Sequence, residues 1–350
     1  MLQGSAGDNL LLAMVIALPV VLAAVAYVLF ARLRVQRRGR RWLWLPVGNG
    51  IVVLLLLSLL LLAGEVYYRY VYDTTDSFAL TRVTQRWNER YYHTNAAGVR
   101  DSLASYDLAK RAGVRRVTFV GDSFTAGHGV RDVEDRFANR IRAAQPTWEV
   151  HVMASRGLET GDELARLTQL TGRGYELGDV VLVYCLNDVA DLLPRWRAIL
   201  DRLYDEPSPG WLVQHSFALN TWYHRLRVRR DPDLADYYAF VRAGYEPPIW
   251  DKQRQRLVDM RELVASQGGR LSVVIFPFLH ALGDDYAFAD AHRALHEAFD
   301  DMGVPYLDLI DVYEDHPPGE LVVNAYDAHP NERAHALAAE AIERFLLERR

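Results

Sequence analysis

The chain has 350 residues, half of them hydrophobic, and a formal net charge of -5. Its first 64 residues hold one acidic residue, Asp8, and six arginines, so the remainder has 34 basic and 44 acidic residues and a net charge of -10. An acidic globular part argues against a nucleic-acid ligand. The single cysteine, Cys185, excludes an intrachain disulfide and shows no metal-ligand spacing.

Two long apolar stretches open the chain. Residues 10–30 and 43–63 each run without a formal charge, and each is long enough to cross a hydrocarbon core of roughly 30 Å at about 1.5 Å per residue. All six arginines lie between the stretches, at 32–41. Because short basic loops stay cytoplasmic, residues 1–64 are predicted to form a two-pass hairpin in the cytoplasmic (inner) membrane. Both termini then face the periplasm or the cell exterior.

Two other topologies remain open from the residues. A cleaved signal peptide with one span is disfavoured because the basic cluster follows the first apolar stretch and no basic region precedes it. A cytoplasmic C-terminal domain would leave six arginines outside. Residues 65–115 are interpreted as a polar connector with several aromatic residues.

Strands and helices are predicted to alternate from Arg116 onward. Apolar runs predict five strands, at 117–120, 148–154, 179–186, 271–277 and 304–310. Helical patterns occur at 134–144, 162–170, 253–266, 289–302 and 332–348. This alternation is typical of a parallel sheet covered by helices on both sides, with functional groups at the carboxyl ends of the strands.

Residues 190–250 interrupt the alternation and carry four tryptophans and six prolines. An insertion after the third strand lies near the edge of the predicted site, so it is interpreted as a lid or substrate platform. The alternatives are an accessory helical layer with tryptophans in its core, and contact of these aromatic residues with a membrane surface.

Four short blocks, three of them directly after strand ends and all in predicted loops, carry the candidate chemistry. They are Gly121-Asp122-Ser123, Ala154-Ser155-Arg156-Gly157, Leu186-Asn187-Asp188 and Asp327-Ala328-His329-Pro330-Asn331. A serine on a turn after a strand can be a nucleophile, and a histidine beside a carboxylate can take its proton. A glycine N–H and an asparagine amide can hold a developing oxyanion. Alone, each block is typical of a turn or a helix cap; together and in this order they indicate serine-based acyl chemistry.

In these blocks the chain resembles the SGNH/GDSL hydrolases over about residues 93–348. Gly121-Asp122-Ser123-Phe124, Gly157, Asn187-Asp188 and Asp327 with His329 match the four family blocks. A less specific match to the family lies at residues 94–101, where Val99 stands in place of an aromatic residue. Two departures are Cys185 at the usual glycine position and the two-residue spacing from Asp327 to His329, where three is common.

The resemblance implies a fold and a set of residue roles. The fold would be a flavodoxin-like, three-layer α/β/α domain at 116–350 with a central parallel five-stranded sheet, following the two transmembrane helices. Ser123 would be the nucleophile, His329 the base and Asp327 the residue that orients it. The N–H groups of Ser123 and Gly157 and the side-chain amide of Asn187 would form the oxyanion hole. No metal and no cofactor are expected.

The resemblance also implies a serine carboxylester hydrolase that acts outside the cytoplasmic membrane on an acyl ester of a cell-envelope glycan or lipid. One alternative is an O-acyltransferase that acetylates an exported polysaccharide with the same residues and works with polysaccharide-modification partner proteins. The other is a non-catalytic scaffold that keeps the fold.

Overall fold

The computed structural model describes residues 5–35, 41–205, 209–283 and 285–349. In chain order the α-helices of this part are α1 (Ala6–Val35), α2 (Arg41–Val66), α3 (Arg82–Tyr91), α4 (Ser123–Ala126), α5 (Phe137–Ala144), α6 (Thr160–Gly172), α7 (Pro194–Tyr204), α8 (Trp211–His215), α9 (Phe217–Arg230), α10 (Pro232–Ala235), α11 (Tyr237–Ala243), α12 (Ile249–Ser266), α13 (Ala289–Met302), α14 (Ile310–Tyr313) and α15 (Glu332–Leu347). The strands are β1 (Arg116–Gly121), β2 (Glu149–Ala154), β3 (Asp179–Cys185), β4 (Arg270–Phe276), β5 (Tyr306–Asp308), β6 (Val322–Asn324) and β7 (Asp327–Pro330).

A five-stranded parallel sheet forms the centre of the larger part of the chain. Its strand order is β2-β1-β3-β4-β5, the doubly wound order of flavodoxin-like folds. Every residue of β1 and β2 is buried, as expected for strands covered on both faces. In such an order, ligands bind where the connections diverge, which here lies between the carboxyl ends of β1 and β3.

The helices lie on both faces of this sheet. The chain passes from β1 through α5 to β2, and then through α6 to β3 on the other side of β1. Because parallel crossovers are right-handed, this reversal places α5 and α6 on opposite faces. The last helix, α15, packs with α5, and α12 packs with α6. The predicted three-layer α/β/α fold with a central five-stranded parallel sheet is therefore confirmed.

Two predicted elements are shorter than the sequence pattern indicated. The helix predicted from Glu134 begins at Phe137, because Arg136 has an extended backbone between α5 and a 3-10 turn at Val133–Asp135. The fifth strand, predicted at 304–310, is limited to Tyr306–Asp308. Pro305 has no N–H to donate, and the Asp308 side chain accepts from the Ile310 N–H, which turns the chain away.

The described residues divide into two compact units that are not consecutive along the chain. One unit takes residues 5–35, 41–73, 80–86 and 209–230; the other contains the sheet. The region interpreted as a connector includes the helix α3, which the sequence analysis did not predict.

The insertion contributes helices to both units. In the sheet-containing unit, Trp196 and Trp250 are buried, as the accessory-layer interpretation expects. In the other unit, Trp211 and Trp222 are 39% and 40% exposed. The accessory-layer interpretation therefore holds for Trp196 and Trp250, whereas a lid role and contact with a membrane surface stay predictions.

Two helices of the smaller unit are long and apolar enough to cross a membrane. The candidate spans are Ala6–Arg34 and Trp44–Val71, with mean hydropathy of 2.7 and 2.5. In their most apolar windows 22% and 11% of the residues are buried, so neither is a core helix. At the end of the second, the buried Glu65 accepts from Arg69, from the Ser216 hydroxyl and from the Ala218 N–H, and so caps α9.

Candidate active site

Ser123 lies on a tight turn that directly follows β1. β1 ends at Gly121, where an added Cβ would lie 3.0 Å from the Val183 carbonyl oxygen and even closer to the Thr125 side chain. Asp122 caps α4 by accepting from the Phe124 N–H at 2.8 Å. The short helix ends at Gly127 in the left-handed region, with a φ of 71°. This turn presents the half-buried Ser123 at the carboxyl end of β1.

A continuous hydrogen-bond relay connects Ser123 to a buried carboxylate. The Ser123 Oγ lies 2.8 Å from His329 Nε2, and His329 Nδ1 lies 2.5 Å from Asp327 Oδ1. A proton on Nδ1 donated to Asp327 leaves Nε2 free to accept the serine proton. Despite the short spacing in sequence, the carboxylate thus reaches the imidazole.

The block that holds Asp327 and His329 was predicted as a loop, and this prediction was wrong. Asp327–Pro330 is the strand β7, paired antiparallel with β6 in a two-stranded ribbon. Because β7 is extended, residues two apart point to the same side. This geometry, together with the N–H of His329 donating to Asp327 Oδ1 at 3.2 Å, explains how a two-residue spacing brings the side chains together.

The Asp327 carboxylate has two further donors that the sequence analysis missed. The Thr75 hydroxyl donates to Asp327 Oδ2, and His128 Nε2 lies 3.3 Å from the same oxygen. Burial by itself raises the pKa of Asp327, but the neighbouring His329 and His128 outweigh it and hold the pKa well below its usual value. Asp327 is therefore ionised at neutral pH.

The protonation state of His128 follows from its own partners. Nε2 faces two acceptors, Asp327 Oδ2 and the Asp76 carbonyl oxygen at 3.2 Å, whereas Nδ1 faces the Arg156 guanidinium at 3.4 Å. Burial lowers the pKa of His128, so it is a neutral donor. The only sequence signal was a histidine between two glycines, five residues after Ser123.

The predicted oxyanion donors follow three adjacent strands. Ser123 follows β1, Gly157 follows β2 and Asn187 follows β3, and in the sheet β1 lies between the other two. Gly157 has a φ of 74° and is exposed, and Asn187 is half-buried. The structure thus brings the three blocks to the carboxyl ends of adjacent strands, where the connections between the strands diverge.

The segment at 94–101, which matches the family less specifically, stabilises the turn that follows Ser123. Arg100 is buried and donates to the carbonyl oxygens of Gly127 at 2.5 Å and of Val130 at 2.7 Å. It also lies over the Trp87 ring. This arginine therefore fixes the segment that carries His128.

Three buried carboxyl groups adjoin the predicted oxyanion donors. They are Asp122, before Ser123; Asp188, after Asn187; and Glu163, on α6. Asp188 Oδ2 accepts from the Cys185 N–H at 2.9 Å, whereas Asp188 Oδ1 and both Glu163 oxygens have no hydrogen-bond partner among the described residues. Asp122 and Asp188 thus both accept from local backbone amides.

The pKa values of these three acids are all raised. Burial raises the pKa of Asp122 to about 6. Burial, followed by the nearby Asp122, raises the pKa of Glu163 well above its usual value, and burial with Glu163 does the same for Asp188. Burial thus disfavours the charged form of each of these three acids.

Cys185 and His335 have structural positions. The Cys185 side chain is completely buried at the end of β3, within the main core. His335 is also completely buried and stacks on Phe137.

No protein-family model and no curated protein sequence matches this chain. Solved structures that resemble it are GDSL-type lipolytic proteins, esterases and acylhydrolases. A lipolytic protein of the G-D-S-L family from Veillonella parvula is 16% identical with a TM-score of 0.40, covering 65% of this chain and 96% of its own.

Two further structures give similar values. The lipase/acylhydrolase from Enterococcus faecalis is 16% identical with a TM-score of 0.39, covering 67% and 97%. A psychrotrophic esterase from Pseudoalteromonas is 14% identical with a TM-score of 0.38, covering 66% and 98%. Likeness at this level does not decide an activity, which has to come from the side chains of this chain.

The raised pKa of Glu163 predicts a pH-dependent gain in stability for Glu163→Gln. Because the folded-state pKa lies above the unfolded one, the stability of the wild type falls as pH rises from about 4.5 towards the folded-state pKa. Glutamine does not titrate, so the variant gains about 1.4 kcal/mol over the wild type for every pKa unit traversed. Melting temperatures of both proteins in detergent between pH 4 and 8 measure this difference.

Glu262→Gln, which changes a side chain that is 66% exposed, controls for the substitution itself. A difference between Glu163→Gln and the wild type that stays constant from pH 4 to 8 would contradict a raised pKa of Glu163 in the folded protein.

Proposed function

We propose that this protein is a serine carboxylester hydrolase of the SGNH type. The observation that carries the proposal is the relay from Ser123 through His329 to Asp327, with heavy-atom distances of 2.8 and 2.5 Å. Nucleophile, base and orienting carboxylate already lie within hydrogen-bond reach of one another. The match of the four sequence blocks to the SGNH family supports the same conclusion.

In the proposed reaction, Ser123 Oγ attacks the ester carbonyl carbon while His329 Nε2 takes the hydroxyl proton. The imidazolium that forms is stabilised by the ionised Asp327 and returns the proton to the leaving alkoxide. A bond forms between Oγ and the acyl carbon, and the bond from that carbon to the alcohol oxygen breaks. Water then repeats the sequence on the acyl-enzyme, with His329 again as base, and releases the carboxylic acid.

The developing oxyanion would be held by the N–H groups of Ser123 and Gly157 and by the Asn187 side-chain amide. Their adjacency at the carboxyl ends of β1, β2 and β3 supports this assignment. The left-handed Gly157 lets a backbone N–H turn towards the site. The raised pKa values of Glu163 and Asp188 mean that burial disfavours negative charge on them beside the proposed oxyanion.

We further propose that the protein acts on an ester of a cell-envelope glycan or lipid. The two apolar helices, with little of their surface buried, would anchor it in the cytoplasmic membrane. The arginines between them would keep that loop in the cytoplasm, so residues 65–350 would face the periplasm or the exterior. Envelope esters are the acyl substrates found on that side.

A fluorophosphonate probe tests the activated serine directly. We expect covalent labelling of the wild type and none of Ser123→Ala, because only a hydroxyl paired with a base attacks phosphorus at a useful rate. Labelling is measured by in-gel fluorescence and by the mass of the modified peptide. Ser266→Ala is the matched control, since this exposed serine precedes β4 and so lies at the amino ends of the strands, away from the candidate site.

A folded wild type that resists the probe would overturn the proposal, as would labelling that persists in Ser123→Ala. Release of acetate or fatty acid from isolated envelope fractions then identifies the ester.

Asn187→Ala tests the oxyanion hole. Loss of one such donor costs about 10²–10³-fold in turnover, because the donor acts on charge that develops in the transition state. We therefore expect kcat on an aryl acetate to fall by this factor while KM changes little. An effect confined to KM, in a variant whose melting temperature matches the wild type, would remove Asn187 from the oxyanion hole.

Reporter fusions test the proposed topology. Alkaline phosphatase fused after Arg350 is expected to be active and a cytoplasmic fluorescent reporter at the same place inactive. Fusions after Arg34, in the basic segment, should give the opposite pair of results. A cytoplasmic signal from the Arg350 fusion would contradict the proposed orientation.

A further inference from the structure

Two histidines and an aspartate meet at the end of the edge strand of the sheet. His292 Nδ1 lies 2.6 Å from Asp308 Oδ2, and His296 Nε2 lies 2.7 Å from the same oxygen. The three candidate ligand atoms all lie within 4.8 Å of one another. None of these residues takes part in the relay around Ser123.

The secondary structure explains why the three side chains converge. His292 and His296 are four residues apart on α13, so they share one face of the helix. Asp308 is the last residue of β5, the strand that follows α13. The Ile310 N–H donates to Asp308 Oδ1, which leaves Oδ2 directed at the two imidazoles.

Further contacts orient the two rings. The hydroxyl of Tyr286 lies 3.1 Å from His292 Nε2, the nitrogen that faces away from Asp308. The His296 ring stacks on Tyr306 with ring centroids 4.8 Å apart. Metal-ligating histidines are typically held by such a partner on the second ring nitrogen.

Burial differs among the three side chains in a way that suits an ion-binding site. The His292 and Asp308 side chains are 5% and 7% exposed, whereas His296 is 36% exposed. Two ligands are therefore shielded from water, and the third opens to solvent and provides an entry path.

We propose that His292, His296 and Asp308 bind one divalent transition-metal ion, best matched by Zn²⁺. Two imidazole nitrogens and one carboxylate oxygen are a donor set that Zn²⁺ accepts, with bonds of about 2.0–2.2 Å and a water in the fourth position. Side-chain rotation has to open the two N···O distances to about 3.4 Å, the ligand spacing of such a tetrahedral site.

The proposed ion has a structural task. β5 is an edge strand with three residues paired to β4. An ion held by α13 on one side and by Asp308 on the other joins the helix to the end of this short strand. The second group of this kind among the described residues, His128 with Asp327 and His329, is already accounted for by the relay.

Equilibrium dialysis of the full-length protein in detergent, stripped with a chelator and then exposed to Zn²⁺, tests the site. We expect one bound equivalent in the wild type that is lost, or weakened at least tenfold, in His296→Gln and in Asp308→Asn. Glutamine at 296 can still donate a hydrogen bond to Asp308, so this variant removes the ligand while preserving the fold. Co²⁺ in place of Zn²⁺ is expected to give the visible bands of a tetrahedral site in the wild type alone.

Two controls locate the ion. His93→Gln changes an exposed histidine elsewhere, and His329→Gln changes the other histidine group; both should keep the bound equivalent. Zn²⁺ is also expected to raise the melting temperature of the wild type and not that of His296→Gln. Fluorophosphonate labelling of Ser123 is expected to persist in His296→Gln, so this test is independent of the proposed esterase activity.

Three results would overturn the proposal: no stoichiometric Zn²⁺ binding by the wild type, undiminished binding by His296→Gln, or loss of the bound equivalent in His329→Gln.

Discussion

The buried carboxylate of Asp327 is the group on which the arrangement of the candidate site depends. An isolated charge in this position would be costly, and it is tolerated because donors from three parts of the chain surround it. Thr75 precedes the sheet, His128 follows the nucleophile turn, and His329 lies beside it on β7. The same contacts that solvate the carboxylate therefore bring the base to the serine. Without Asp327, His329 would lose the acceptor at Nδ1 and His128 would lose one of the two acceptors at Nε2.

The other buried acids, Glu163 and Asp188, meet the cost of burying a charge in the opposite way. For Glu163 and Asp188, burial and the neighbouring acids outweigh the contacts that favour the charged form, so their pKa values are raised and not lowered. The surroundings therefore favour a negative charge behind the imidazole, at Asp327, whereas burial opposes charge on the acids next to the predicted oxyanion donors.

The sequence predicted elements well where a single physical signal dominates. Continuous apolar runs identified the five strands, because strands covered on both faces have to be apolar throughout. Prediction was weaker where a backbone group or a distant partner decides the outcome. Pro305 and Asp308 shorten β5, Arg136 delays α5, and pairing with β6 converts the predicted loop at Asp327 into a strand. The His292-x-x-x-His296 spacing was visible but had no meaning until the fold brought Asp308 to it.

By itself, the sequence determined the order of the five sheet strands and of the five helices predicted between and after them, the two apolar helices and the four blocks that carry Ser123, Gly157, Asn187 and His329. These features depend on residue type and spacing, which are local properties. Only the tertiary structure decided that Asp327 reaches His329 in spite of the short spacing, that Thr75 and His128 complete its surroundings, and that Glu163 lies unpaired beneath the site. Such contacts join residues up to 252 positions apart. They arise from chain crossings and burial, which no local pattern encodes.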